Sequence, residues 1–464
     1  MRNVAIEAAS VALRDGQPEL ALEWLEQGRS IVWNQTLHLR SPLDGLRAHH
    51  PTLAEKLQNV RSELHNVSLQ GPESLPGSGD WLTPEHAARR RHLLATEYTN
   101  LISEVQQLPG FSHFLRPKPA SELILAARRG TVVVINVHET QCDALVIRPG
   151  SPKIDFLNLP NFTQQRAHDM CMHMEASIGR SGIKERTERR PIQSGQDIQR
   201  DLKHTLSVLW DYIVEPVLRL LGYIATTPEQ LPHITWCTTG PLSFIPLHAA
   251  GYYDRPECKL SDYAVSSYTP TLSALIALDL TPSDHRSIIA IGQEITPDSV
   301  VYLLTESNAT PAAVLEQMER HDWVHLACHA HQNITDPRMS GFFLHGGILD
   351  LSKITEKEFT NKGLAFLSAC QTATGDRKLA DEAVHLASGL LIAGYPAVIA
   401  TMWAVGDSDA SFVANKIYQN LFKDGKMEYQ GAARALHYAI VELREEIGED
   451  RIECWAPFIH IGSY

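Results

Sequence analysis

Residues 324–331, Val324-His325-Leu326-Ala327-Cys328-His329-Ala330-His331, and residues 364–373, Leu364-Ala365-Phe366-Leu367-Ser368-Ala369-Cys370-Gln371-Thr372-Ala373, are two short apolar runs that end abruptly in polar or thiol-bearing side chains. A short apolar run with no polar alternation reads as a strand buried on both faces, as in a parallel sheet. Working outward, strand and helix patterns alternate: strand Ser287 to Ile291, helix 310 to 320, strand 323 to 328, strand 364 to 368, helix 381 to 393, strand 397 to 401, helix 408 to 422 and helix 430 to 446. That alternation predicts an α/β fold with a largely parallel sheet flanked by helices.

Upstream, strands begin after Pro119, with Thr131 to Val137 and Ala144 to Ile147, followed by an amphipathic helix from Asp197 to Leu221 and a strand at Ile234 to Cys237. The polar stretch Arg180 to Gln196 reads as a mobile loop and a candidate cleavage or regulatory site. Before Pro119 the chain reads as all-helical. Residues 3 to 33 form two helices broken at Asp15-Gly16-Gln17-Pro18, with Ala8, Ala12, Ala21, Leu22 and Leu25 at helical spacing. This is either an ordinary helical hairpin or one repeat of the tetratricopeptide (TPR) type. A single such unit cannot bury its apolar face alone, so it either ends a longer repeat array or packs on its own downstream domain. Helix continues from Leu53 to Leu64 and from Thr83 or Pro84 to Gln107, across a polar break at 70–80. The expected domains are 1–115 (helical, TPR-like), 116–285 and 286–464.

The 464 residues carry 41 Lys and Arg against 54 Asp and Glu, a net charge of −13, and the basic residues form no stripe. Nucleic acid is therefore not an expected partner. Seven cysteines at wide spacing, with no CxxC pair, point to a reducing compartment, and a cytoplasmic protein is expected. No basic tip with an apolar stretch marks a secretory signal, and no apolar run approaches the roughly 20 residues of a membrane span, so no membrane partner is expected.

In an open α/β sheet, functional residues gather beyond the carboxyl ends of the strands. There the two runs place His329 and Cys370, 41 residues apart, enough for one strand to finish, cross over and return as its neighbour. Thiol and imidazole together supply a nucleophile and its base. The bland alternative is an inert buried cysteine and a satisfied polar histidine. A zinc site is a further alternative, from His325, Cys328, His329 and His331, but on a strand 325, 329 and 331 share one face while 328 takes the other. Glu382 and His385 find no matching pair. Neither GxSxG nor a GxxxxGK phosphate loop is present, and no metal or cofactor is expected.

The phrases VHLACHA (324–330), LSACQTA (367–373), Asp381 to Ala387, AVIATMWAVGDSDA (397–410) and CWAPFIHIG (454–462), preceded by GPLSFIPLHAAG (240–251), together resemble the CHAT domain of caspase-like cysteine peptidases, relatives of separase. Residues 118 to 320 resemble the less constrained, pseudo-caspase-like first half of that domain. The resemblance implies a caspase-like fold, His329 as catalytic histidine, Cys370 as nucleophile, and the backbone amides of Ala330 and Cys370 as oxyanion hole. Cys328, His325 and His331 match no catalytic position. Ala330 stands where the family usually has glycine, which matters if the backbone there needs positive φ. A backbone carbonyl is implied as the group orienting His329.

For the substrate pocket the resemblance points to Ser368, two residues before the nucleophile, with Asp381 and Trp403 beside it. Asp381 reads equally as a helix cap, and Trp403 as a core residue. Arg377 is the only arginine close to Cys370, so no acidic preference is expected. The family further implies a protein substrate and an endopeptidase held latent until a protein partner docks on helical repeats. It also implies roles in regulated cell death or immune-type signalling. The competing class is a non-catalytic caspase-like scaffold that binds partners through those repeats.

Overall fold

The computed structural model describes residues 2–29, 46–47, 49–69, 84–109, 111, 114, 118–180, 195–224, 230–277, 287–292, 301–331, 339–357, 359–368, 386–423 and 426–463. Two compact units divide the chain: Met1–Ile31 with Pro119–Tyr464, and Val32–Lys118. In the first, α1 (Arg2–Arg14) and α2 (Pro18–Gly28) form the hairpin, with Pro18 in the first turn of α2 and Gly16 at φ 71° in the connection. A Cβ on Gly28 would lie 2.1 Å from the Ala5 Cβ, so the helices touch where only glycine fits. The hairpin packs on its own downstream domain. Asn136 donates from Nδ2 to Ser10 Oγ (3.0 Å) and to the Ile6 carbonyl (3.3 Å), and the Ala120 N–H donates to Glu23 Oε1 at 2.7 Å.

The second unit is built on α3 (Pro51–Leu69) and α4 (Pro84–Gln106). Leu46, Ala54, Leu57, Val105 and Phe114 form its buried core, with Leu101, Ile102 and Phe111 packed against it. The polar break at 70–80 lies outside the described residues, as do residues 181–194 of the expected mobile loop.

The sheet of the first unit holds β1 (Thr131–Asn136), β2 (Cys142–Ile147), β3 (Ile154–Leu159), β4 (His233–Thr238), β5 (Val265–Tyr268), β6 (Ile288–Ile291), β7 (Val301–Leu304), β8 (Trp323–Leu326), β12 (Leu364–Leu367), β13 (Ala397–Thr401) and β16 (Phe458–Gly462). A separate three-stranded sheet holds β9 (Ala330–His331), β10 (Gly341–Leu344) and β11 (Gly347–Asp350), and β14 (Phe422–Lys423) pairs with β15 (Lys426–Met427). The main sheet runs in the order β3-β2-β1-β4-β5-β16-β13-β12-β8-β6-β7. Strands β1, β4 and β5 are parallel to one another, as are β13, β12, β8, β6 and β7. Between them β16 runs antiparallel to β13 and parallel to β5. The two sets therefore point in opposite directions, and their carboxyl ends open on opposite edges of one sheet.

Burial explains the composition of these strands: all four residues of β6, β8 and β12 and all five of β13 are buried, so both faces need apolar side chains. Helix α5 (Gln164–Arg180) and a long helix α6 (Gly195–Leu209) pack together in the first half of the sheet. Helix α6 continues through one π turn, Trp210–Val214, to Glu215–Leu221 and ends at Gly222 with φ 78°. The expected single helix from Asp197 is thus one rod with a wider turn. Helix α7 is Leu272–Ala277. The crossovers of the second half are α8 (Pro311–Arg320), capped by the Thr310 hydroxyl on the Ala313 N–H, α9 (Leu351–Glu356), α10 (Leu386–Ala393), α11 (Asp407–Leu421) and α12 (Ala432–Ile447). Among the described residues, no helix is long and apolar enough to cross a membrane.

Candidate active site

Strands β8 and β12 are adjacent and parallel, with Ala365 opposite Val324, Phe366 opposite His325 and Leu367 opposite Leu326. Their last residues are thus in register at one edge. His329 follows Leu326 by three positions, and Cys370 follows Leu367 by three. Residues 369–385 lie outside the described residues, Cys370 and Asp381 among them.

Beyond β8 the Ala327 N–H still donates to the Ile291 carbonyl of β6 (2.9 Å). Gly292, at φ 93°, makes that approach possible, since a Cβ there would lie 2.2 Å from the Ala327 oxygen. Cys328 is partly buried, and burial pushes its thiol up to about 12, which keeps it protonated and unreactive near neutral pH. His329 is exposed, and its carbonyl accepts from the Phe343 N–H of β10 at 2.8 Å. That bond marks His329 and Phe343 as a hydrogen-bonded antiparallel pair. The next pair, Ala330 and Phe342, is therefore of the open type, and the Ala330 N–H points away from β10. Among the described residues only Glu257 and Asn361 are non-glycine with positive φ, so alanine at 330 carries no left-handed strain.

Beyond β12, the Ser368 N–H donates to the Leu326 carbonyl (3.2 Å), and the Ser368 hydroxyl bonds His325 Nε2 (3.0 Å). The other ring nitrogen of His325, Nδ1, meets the Tyr418 hydroxyl of α11 at 3.0 Å, and the ring stands edge-on to Phe366 with centroids 4.6 Å apart. Burial lowers His325 to about 3, so it is neutral, with one nitrogen donating and the other accepting. With both nitrogens occupied by hydroxyls, His325 has no lone pair to spare for a metal. Among the described residues, no three His, Cys, Asp or Glu side chains gather as a metal would require.

Trp403 is 5% exposed and donates its indole N–H to the Glu453 carbonyl at 2.9 Å, as a core tryptophan does. Sequence reasoning missed the sheet of β9, β10 and β11 beside His329. Its signal is faint: Gly341-Phe-Phe-Leu-His-Gly-Gly-Ile-Leu-Asp350 is a hairpin pattern of two four-residue runs around a His-Gly turn.

Residues 288–463 match the family model for the CHAT domain. No curated protein matches the chain in sequence. Among solved structures it is similar to two crystal structures of the Saccharomyces cerevisiae separase–securin complex. One has a TM-score of 0.52 at 10% identity, covering 97% of this chain and 38% of that chain. The other has a TM-score of 0.53 at 12% identity, covering 99% and 37%. The chain thus spans little more than a third of the separase chains it resembles, and at that identity the likeness is one of fold. Residues 288–463, from the start of β6 to just past the end of β16, thus match the CHAT-domain model, and the fold is similar to that of the separase structures.

Proposed function

We propose that the protein is a cysteine endopeptidase in which Cys370 is the nucleophile and His329 its base. The observation that carries this is the pairing of Leu326 with Leu367, which sends both strand exits out of one edge in the same register. In the reaction His329 takes the Cys370 thiol proton, and the thiolate adds to a peptide carbonyl carbon. The amides of Ala330 and Cys370 hold the resulting oxyanion, and the outward Ala330 N–H supports that role. The C–N bond then breaks as imidazolium gives its proton to the leaving amine, leaving a thioester. Water, deprotonated by His329, releases the acid and restores the thiol.

Ser368, with Asp381, is the proposed pocket and its substrate is a protein, while Trp403, buried with its indole N–H on the Glu453 carbonyl, is left to the core. Residues 116–285 and 286–464 are proposed as the two halves of the peptidase fold, and the six described cysteines, all free thiols, support a reducing cytoplasm. By the family resemblance the enzyme is latent until a protein partner binds its helical region, and it acts in regulated cell death or immune-type signalling. The separase structures contain a bound protein, securin, which supports control by a partner.

The test is the alkylation of each cysteine near neutral pH, followed by peptide mass. Cys370 is expected to react faster than Cys328, and His329→Ala to slow Cys370 by about 10²-fold, the lower end of what a positioned base supplies. Equal, slow labelling of both cysteines, unchanged by His329→Ala, favours the scaffold instead.

A further inference from the structure

The three-stranded sheet beside His329 has one face that follows the usual rule and one that does not. Phe342 and Leu349, opposite each other, are fully buried, as the inner face requires. The outer face, where polar residues belong, carries Phe343 at 47% exposure opposite Ile348 at 36%. His329 is opposite Phe343 in the same register, as their hydrogen bond marks. Directly opposed residues on antiparallel strands project to the same face. His329, Phe343 and Ile348 thus form one row across three strands, each step about 5 Å between Cα atoms. Gly341 has no side chain to interrupt the row, and Ile348 Cγ2 lies 2.8 Å from where its Cβ would be. Met339, 44% exposed, lies just before β10.

We infer that Phe343 and Ile348 form an apolar subsite for the leaving-group side of a polypeptide substrate, selecting a bulky aliphatic or aromatic residue just beyond the cut. This rests on the proposed roles of His329 and Cys370. The imidazolium must reach the leaving amine, so the first residues of the leaving segment pass beside His329. An extended segment rises about 3.3 Å per residue, which brings side chains one to three residues past the cut over a shelf about 5 to 10 Å from His329. The occupant is a substrate segment because the shelf is continuous with His329.

The test separates binding from catalysis. Random decapeptides displayed on phage are selected on the Cys370→Ala protein, and the same selection is run with Phe343→Ser or Ile348→Lys added. Roughly tenfold enrichment of Phe, Leu, Met or Trp at one position is expected, and its loss in both variants. In the active enzyme, a library of proteome-derived peptides should show the same residues on the leaving side of the cut. Both substitutions are at exposed positions, and circular dichroism checks that the variants fold. Selection with no apolar preference, or with a preference that survives both variants, overturns the subsite. So does a wild-type dimer that Ile348→Lys dissociates, because the face then serves a second copy of the chain. The alkylation of Cys370 with and without His329 reports separately on the catalytic reading.

Discussion

The His325 imidazole lies 3.0 Å from the Ser368 hydroxyl through Nε2, which ties the carboxyl end of β12 to the strand that leads to His329. Because Tyr418 occupies Nδ1, the neutral ring donates to one hydroxyl and accepts from the other. Ser368→Ala and Tyr418→Phe should each cost about 1 kcal/mol in urea unfolding. The double variant should depart from additivity by about 0.5–1.5 kcal/mol, since both hydroxyls serve one ring. His325→Ala should cost about 2–4 kcal/mol, leaving two hydroxyls without a partner and a void beside Phe366. Strict additivity would show that the three groups do not act as a chain.

Gly292 and Gly150 both have positive φ, 93° and 70°, but their surroundings differ. An added Cβ at 150 meets nothing within 4 Å, while at 292 it meets the Ala327 carbonyl oxygen at 2.2 Å. Gly150→Ala should cost about 1 kcal/mol of backbone strain. Gly292→Ala should cost about 3 kcal/mol or more, because β6 must part from the backbone two residues before His329. Under the proposed mechanism, Cys370 labelling should also slow in the second variant only. Equal melting temperatures for the two variants would show that the close approach at 292 is not restraining.

The parts of the fold that were legible in the sequence are those where one physical signal dominates. Strand β13 was expected at 397–401 and is found there, because five consecutive apolar or small residues buried on both faces admit no other reading. Strand β8 stops at Leu326 rather than at Cys328, because the chain leaves the sheet to reach β9. That bend is set by tertiary pairing with β10 and leaves no local mark. Strand β16 escaped notice as a strand although its residues carry one of the family phrases, since the run Phe458 to Gly462 is short and His460 interrupts its apolar residues. Beside the candidate site, the place of His329 just past the end of β8 was legible from the apolar run before it. The Tyr418–His325–Ser368 chain was not, because its three members are far apart in sequence and only the packing of α11 on the sheet brings them together.

Five histidines, three buried and two half-buried, make the fold acid-sensitive. His325 and His460 are lowered by burial to about 3 and His248 and His437 to about 4, while His233 is held well below its ordinary value by burial and by the nearby His460 and Arg434. All are neutral in the folded protein near pH 7. In the unfolded chain they bind protons below about 6.5, so between about 4 and 6.5 the unfolded state holds more protons and stability rises with pH. Their contribution is fully present above about 6.5 and is lost as pH falls, each histidine costing up to about 1.4 kcal/mol per pH unit. Asp143 and Asp262, raised by burial, act with the opposite sign but are fewer. The urea midpoint should be flat from about pH 8 to 6.5 and decline steeply below. A midpoint unchanged down to about pH 5 would contradict neutral burial of these rings.

The amino-terminal hairpin is tied into the sheet domain by charged groups rather than by apolar contact alone. Glu26 is buried, and its carboxylate accepts from the Leu272 N–H (3.0 Å) and the Ser273 N–H (2.8 Å) at the start of α7, where those donors have no partner within the helix. One turn later Arg29 donates from Nη2 to the Cys237 carbonyl at 3.0 Å and from Nη1 to its sulfur. Burial raises that thiol to about 11, so it is a neutral acceptor and no ion pair forms. Glu26→Ala therefore removes two charge-assisted bonds from a site closed to water and should cost about 2–4 kcal/mol, with Glu26→Gln recovering part of it through the one oxygen it keeps. Because the bonds join the hairpin to the end of the sheet, both should unfold in one transition that shifts as a whole. A separate early transition for the hairpin, with the sheet's midpoint unmoved, would mean that α1 and α2 fold independently of the domain they cover.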